Sequence, residues 1–390
     1  MEFHFFHLMP YPRLPADFEE RYDSAWVTCP NSLYDPGLGT ELYNRYLDEM
    51  IYAEELGWDG VCVNEHHQTA YGLMPAPNLM ASILARQTKR VRIAILGNAV
   101  PLYDQPLKIA EEVAMIDVIS GGRVIAGFVR GIGCEYYSFG LSPAQSRERF
   151  DEAVSLILRA WSEDGPFSHH GKHYRFRYVN PWPKPIQKPH PPVFVPSTGS
   201  AETLDWATRE RYPFIRVYDE VAAVQRMFDD YRERAARQGW QAGPEHLGWM
   251  VPVYVGETDE AAQREAEKHI LYLFRELTHR PVEMLMPPGY SSPQSMARFA
   301  ENLLKRRSAG RRTYQDMQDA GFIVFGSAET VRQRLTEYQQ RLGFGRLVTL
   351  MQFGSLPADL TRRNMERFAR DVMPHLRPLG AGTAPAAVAG

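Results

Sequence analysis

Eight times along the chain a short apolar run of strand length is followed by an amphipathic stretch of helix length, and few folds accommodate that alternation. The runs read as strands are Phe3 to Met9, Gly60 to Asn64, Val91 to Leu96, Val124 to Phe128, Val193 to Val195, Phe214 to Val217, Trp249 to Val255 and Arg346 to Met351. Helical patterns cover Leu42 to Leu56, Asn78 to Gln87, Pro106 to Ile119, Ser146 to Trp161, Ala201 to Thr208, Val221 to Gln238, Asp259 to Thr278 and Ala328 to Leu342. Eight such pairs predict an α/β chain folded as a single eight-stranded parallel β/α (TIM) barrel over residues 1–378. An open doubly wound sheet is the alternative. Insertions are expected near residues 13–39, 166–192 and 280–321, the second holding a small hairpin around Gly171. A small-residue tail, 379–390, is expected to be disordered.

Several function classes fall away on composition. A net charge of −3 over 390 residues gives no electrostatic case for nucleic acid or an anionic membrane, and Lys305-Arg306-Arg307 with Arg311-Arg312 reads as a solvated helix face. No run approaches the roughly 18 apolar residues of a membrane span. The apolar start, Phe3 to Leu8, lacks a basic lead and a cleavage pattern, so it reads as a buried strand. Cys29, Cys62 and Cys134 are too few and scattered for a disulfide framework, which fits a reducing cytoplasm.

The second strand carries the candidate chemistry. Val61-Cys62-Val63 runs into Asn64-Glu65-His66-His67, where buried strand residues give way to ionisable ones, as barrel enzymes present their reactive groups. Alternation sends Glu65 and His67 one way and His66 the other. A metal site would need further ligands and the chain has no HExxH or HxH, so none is expected. The remaining readings are a solvated or capping strand end and a catalytic pair. Trp26, Tyr34, Tyr71, Met74 and Tyr136 flank the same rim and suggest an apolar pocket or plain packing.

A phosphate site is the second candidate. Gly131-Ile132-Gly133 has Tyr136 where a dinucleotide fingerprint wants a third glycine, and no helix is expected to open there. Gly199-Ser200-Ala201-Glu202-Thr203 instead ends a strand in small hydroxyl residues and begins a helix, which serves either simple capping or anion binding. Arg130 follows the fourth strand and shares that rim. Arg147 opens the next helix, where the dipole disfavours a cation unless an anion or a carboxylate partner compensates. Together they suggest a phosphate carried by a cofactor.

The order of these motifs resembles the bacterial luciferase-like flavin-dependent monooxygenases. Asn64-Glu65-His66-His67, the stretch from Asp117 to Val129-Arg130-Gly131, Phe139-Gly140 with Arg147, the helix start from Gly199 to Ala207, and Asp371-Val372-Met373-Pro374 carry the resemblance, from Phe3 to about Leu376. It implies that Arg130, Arg147, Ser200 and Thr203, beside Gly199 and Ala201, hold the phosphate of FMN. Leu96-Gly97-Asn98 falls where relatives place a non-prolyl cis peptide against the flavin ring, with Asn98 at its pyrimidine edge. His66 matches a catalytic base and Glu65 a carboxylate beside the flavin. Two departures stand out: residues 13–39 are longer than the luciferase loop, and Val129 replaces a reactive cysteine of some luciferases, so light emission is not implied.

The implied activity is two-component monooxygenation, in which reduced FMN and O2 give a peroxide at the flavin C4a carbon that oxygenates a small organic substrate. The flavin carries that chemistry while the protein orients it and excludes water. Nothing resembles an NADH site, so a separate flavin reductase is implied as a partner. A homodimer through the helices after the second and third strands is also implied. Two other classes share the barrel: deazaflavin-dependent oxidoreductases and non-catalytic flavin-binding relatives.

Overall fold

The computed structural model describes residues 1–291 and 312–380. Its strands are β1 (Glu2–Phe6), β2 (Gly60–Val63), β3 (Arg92–Ile95), β4 (Val124–Gly127), β5 (Phe167–His170), β6 (Arg175–Val179), β7 (Val193–Ser197), β8 (Phe214–Val217), β9 (Leu247–Gly256), β10 (Val324–Ser327) and β11 (Arg346–Leu350). All but β5, β6 and β10 close a parallel barrel in the order β1-β2-β3-β4-β7-β8-β9-β11, and β11 returns to β1 with Arg346 opposite Glu2. These eight strands are the eight runs read from the sequence. Every residue of β2 and β4 is buried, as expected where side chains fill the barrel on one face and meet helices on the other.

β10 was not anticipated. It pairs with the C-terminal half of β9, Val324 opposite Val253, while the N-terminal half of β9 serves β8 and β11. That double duty explains why β9 runs for ten residues. β5 and β6 form the antiparallel hairpin expected around Gly171. The segment that follows the hairpin docks through Gln187, whose backbone N–H and side-chain amide both donate to the buried Asp117 carboxylate, at 3.1 and 2.7 Å.

Several boundaries move for local reasons. β1 stops at Phe6 because the Met9 N–H donates to the His7 ring nitrogen Nδ1 at 2.9 Å and Met9 adopts a left-handed φ of 54°, which turns the chain over the rim. The first long helix begins at Pro36 rather than Leu42, since Asp35 caps it by accepting from the Gly37 N–H at 2.8 Å and proline suits the first helical position. The expectation of no helix after Gly131 is overturned: Gly133–Ser138 is helical, its start secured by Glu135, whose Oε2 accepts from the Ile132 N–H at 2.8 Å. A further helix, Ala358–Arg367, follows β11.

Within residues 280–321 the described parts contain helices Val282–Leu285 and Tyr314–Asp319. Arg312 pairs with Glu220. Residues 305–307 and Arg311 of the basic run, and the tail beyond Gly380, lie outside the described residues. No described helix is long and apolar enough to cross a membrane.

His269, on the helix Asp259–Tyr272 that backs β9, is buried with Nδ1 at 2.8 Å from the Ser355 hydroxyl, and burial pushes its imidazole down to about 4. An unfolded histidine titrates near 6.5, so the unfolded state binds more protons between those values. The contribution is complete above about pH 6.5 and is lost as pH falls toward 4, amounting to roughly 3 kcal/mol. Denaturant unfolding across that range should show stability falling with pH, and His269→Gln should flatten the slope.

Candidate active site

Parallel strands all end on one rim, so the residues just past β2, β3, β4, β7 and β8 are neighbours however far apart in sequence. Past β2 the expected alternation holds. Glu65 and His67 lie together and buried, with His67 Nε2 at 2.8 Å from Glu65 Oε1, while His66 points elsewhere. Glu65 also accepts from the Ala99 N–H at 3.1 Å and the Tyr103 hydroxyl at 2.9 Å. Burial, and then the Glu65 charge, raise the Tyr103 phenol far above its ordinary range, so it remains a donor. Both Glu65 oxygens are therefore occupied by the rim itself.

His66 has a partner that the sequence did not disclose. Its Nδ1 lies 3.0 Å from Oε1 of Glu135, a buried carboxylate whose other oxygen holds the Ile132 N–H. The pair spans 69 positions, and the readable signal was a glutamate three residues into a loop-to-helix turn. The His66 side chain keeps 18% exposure and stands edge-on to Trp26 and Tyr71, at centroid distances of 5.3 and 5.1 Å. Trp26 stacks on Tyr71 at 4.9 Å. A carboxylate acceptor at Nδ1 makes that nitrogen the protonated one and leaves Nε2 to exchange a proton.

The second corner gathers the predicted anion-binding residues. Ser200 caps helix Ala201–Arg209 by accepting from the Thr203 N–H at 3.3 Å, so the capping role is present, and the Ser200 and Thr203 hydroxyls lie 2.8 Å apart. One Arg147 nitrogen, Nη2, reaches both hydroxyls at 3.4 Å from the start of helix Ser146–Ser162. Burial, and then the neighbouring Arg130, lower the Arg147 pKa. Arg130 donates to the Tyr290 carbonyl at 2.6 Å and the Ser146 hydroxyl at 3.3 Å, with its guanidinium 4.1 Å from the Tyr290 ring centroid. Among the described residues no carboxylate lies within ion-pair distance of either arginine. Gly199 adopts φ +99°, a left-handed conformation that strains any side-chain-bearing residue.

Between the two corners, past β3, the Leu96–Gly97 peptide bond is cis, at the position the resemblance indicated. A Cβ on Gly97 would stand 2.6 Å from the Gly127 carbonyl oxygen, so the backbones of β3 and β4 approach closely there. Asn98 is buried and its side-chain amide donates to the Asn78 side chain at 3.1 Å, which commits part of the group expected at a pyrimidine edge.

The aromatic candidates separate. Trp26 and Tyr71 surround His66, while the Tyr136 hydroxyl donates to the Arg130 carbonyl at 2.5 Å and the Met74 sulfur lies 3.4 Å from the Asn64 N–H. Tyr34 lines a cavity of about 480 Å³ with Tyr11, Leu14, Cys29, Leu33 and Thr69. Among the described residues no group of His, Cys, Asp or Glu is placed to hold a metal ion.

The comparisons with known proteins agree with this geometry. The family model for luciferase-like monooxygenases matches residues 27–344. The oxygenase component of the flavin-dependent trigonelline monooxygenase of Acinetobacter baylyi is 25% identical over 346 residues, covering 86% of this chain and 90% of the relative. The oxygenating constituent of 3,6-diketocamphane monooxygenase from a plasmid of Pseudomonas putida, solved with FMN, superposes with a TM-score of 0.72 at 19% identity, covering 96% of this chain and 98% of that one. An F420-dependent secondary alcohol dehydrogenase shares the fold with a TM-score of 0.65 at 15% identity, covering 96% of this chain and 99% of that one. With a family match over most of its length and the motif residues gathered on one barrel rim, the chain belongs to the luciferase-like monooxygenase family.

Proposed function

We propose that the chain is the oxygenase component of a two-component flavin-dependent monooxygenase that uses reduced FMN and O2 to oxygenate a small organic substrate. The observation that carries this reading is the corner where Arg147 meets the Ser200 and Thr203 hydroxyls beside Arg130. Two neighbouring guanidiniums without a carboxylate at ion-pair distance leave positive charge that a phosphate dianion would neutralise, and the hydroxyls and the helix start add neutral donors. That donor set fits the phosphate of FMN. When bound, reduced FMN supplies the activation of O2 for transfer of one oxygen atom to the substrate.

The remaining work falls to this chain. Glu135 orients His66, and Nε2 of His66 gives or takes the proton that oxygen transfer requires. Glu65 serves as a positioning residue, since its oxygens hold Ala99, Tyr103 and His67 and so fix the loop past β3. Trp26 and Tyr71 shield the His66 ring from water. The sequence has no GxGxxG fingerprint, and the trigonelline relative is named as an oxygenase component, which together support delivery of reduced FMN by a separate flavin reductase. A homodimer is supported by an exposed apolar face on the adjacent helices Pro77–Gln87 and Pro106–Ser120, where Leu79, Ile83, Met115, Val118 and Ile119 meet solvent.

Four outcomes are expected. Titration with reduced FMN and with a reduced deazaflavin should show tighter binding of FMN. Arg147→Ala should weaken FMN by about tenfold or more, because a charge-assisted hydrogen bond contributes roughly 1.5–3 kcal/mol; an unchanged dissociation constant would remove the phosphate assignment. His66→Ala should leave FMN affinity nearly intact, cut product formation by about 10² to 10⁴ and raise hydrogen peroxide release. Joint loss of stability and flavin affinity would instead mark His66 as a brace. Sedimentation at micromolar concentration should give the dimer mass, and Leu79→Glu with Val118→Glu should shift it to the monomer.

A further inference from the structure

Arg280 stands beside His66 and, among the described residues, has no carboxylate at ion-pair distance. Its guanidinium carbon lies 4.8 Å from the Trp26 ring centroid, and Trp26 is one of the two rings that flank His66. The groups that bear on it electrostatically are Cys134, Tyr71 and Glu135. Tyr71 and Glu135 both contact His66 directly, so Arg280 and His66 share Trp26, Tyr71 and Glu135 as neighbours.

Its hydrogen bonding is incomplete. Nη1 donates to the Thr278 carbonyl at 3.1 Å, and Nε is buried without a partner. Nη2 has no protein acceptor among the described residues. Glu135 lies beyond ion-pair distance of Arg280, and its own oxygens are held by His66 and the Ile132 N–H. Removing a guanidinium from water without compensation is costly, which explains why burial lowers the Arg280 pKa. The unengaged Nε and Nη2 form one edge of the guanidinium fork, the edge that accepts the two oxygens of a carboxylate side by side. Trp26 and Tyr71 add an apolar wall next to that edge.

We propose that Arg280 binds a carboxylate group of the substrate and thereby selects anionic, carboxylate-bearing substrates for the His66 pocket. The proposal rests on the oxygenase reading for what happens to the substrate, but the binding claim is testable without turnover. A neutral amide of the same shape would leave the guanidinium edge facing an N–H donor, so discrimination between acid and amide is the direct readout.

The experiment is equilibrium binding to the full chain, without reductant, of benzoate and octanoate against benzamide and octanamide. Calorimetry or Trp26 fluorescence would report it. The wild type is expected to bind at least one acid about tenfold or more tightly than its amide, equivalent to one well-formed charge-assisted contact. Arg280→Met should erase that preference and Arg280→Lys should retain part of it, since lysine keeps the charge but loses the fork. Equal binding of acids and amides by the wild type would overturn the proposal, and so would a preference that survives in Arg280→Met. The wild-type comparison is decisive even if a variant does not fold. Measuring FMN affinity on the same wild-type preparation separates the two claims. Acid preference without FMN binding would sink the oxygenase reading and leave Arg280 standing; FMN binding without acid preference would do the reverse.

Discussion

Closure of the parallel ladder is the constraint on which everything else depends. Because β11 returns to β1 and every barrel strand runs the same way, the C-terminal ends of the strands are forced onto one rim. Distances along the chain then cease to matter. Residue 66, past β2, meets 135, past β4, and 147, also past β4, meets 200 and 203, past β7. The barrel wall also keeps these groups away from bulk water, which strengthens each charge-assisted contact they make.

Within that rim the two corners are built by different physics. The Arg147 corner gathers positive charge near a helix start, where burial and Arg130 disfavour the Arg147 cation and Asp151 and Glu202 partly offset them. The His66 corner is the reverse: a buried carboxylate, Glu135, is satisfied by a backbone N–H and an imidazole, and aromatic rings close over it. Glu65 ties the loop past β2 to the loop past β3, since its oxygens accept from Ala99 and Tyr103.

Much of this was legible in the residues. Eight barrel strands announced themselves because buried parallel strands are continuous apolar runs and their helices carry a clear period. β10 escaped because its apolar run, Phe322 to Phe325, falls between the 280–321 insertion and the helix pattern from Ala328, where the eight strand–helix pairs leave no place for a ninth strand. Helix Gly133–Ser138 escaped because glycine is a poor helix former and the Glu135 bond that stabilises its start is invisible in a linear reading. The identity of the phosphate corner came from motif order, whereas its geometry follows from rim position and the Ser200 cap. Glu135 and Arg280 were not singled out at all. Their importance lies in what they fail or manage to pair with, and pairing across the rim is a three-dimensional fact.

The rim is also divided by chain origin. The Arg147 corner draws on residues past β4 and β7 and on the start of helix Ser146–Ser162, all inside the barrel repeat. The groups facing the His66 pocket and the adjoining cavity come largely from the long segment before β2, which supplies Tyr11, Trp26, Cys29 and Tyr34, and from Arg280 beyond β9. Backbone bonds tie that segment to the loop past β2, from Tyr11 to Ala70, Val27 to Gln68 and Ala70 to Ala25, and Ala25 also donates to the His279 carbonyl. Sequence change there can alter the surroundings of His66 while the Arg147–Ser200–Thr203 corner stays as it is. One barrel can thus be retailored to new molecules by rewriting two excursions, a form of modularity that the fold itself enforces.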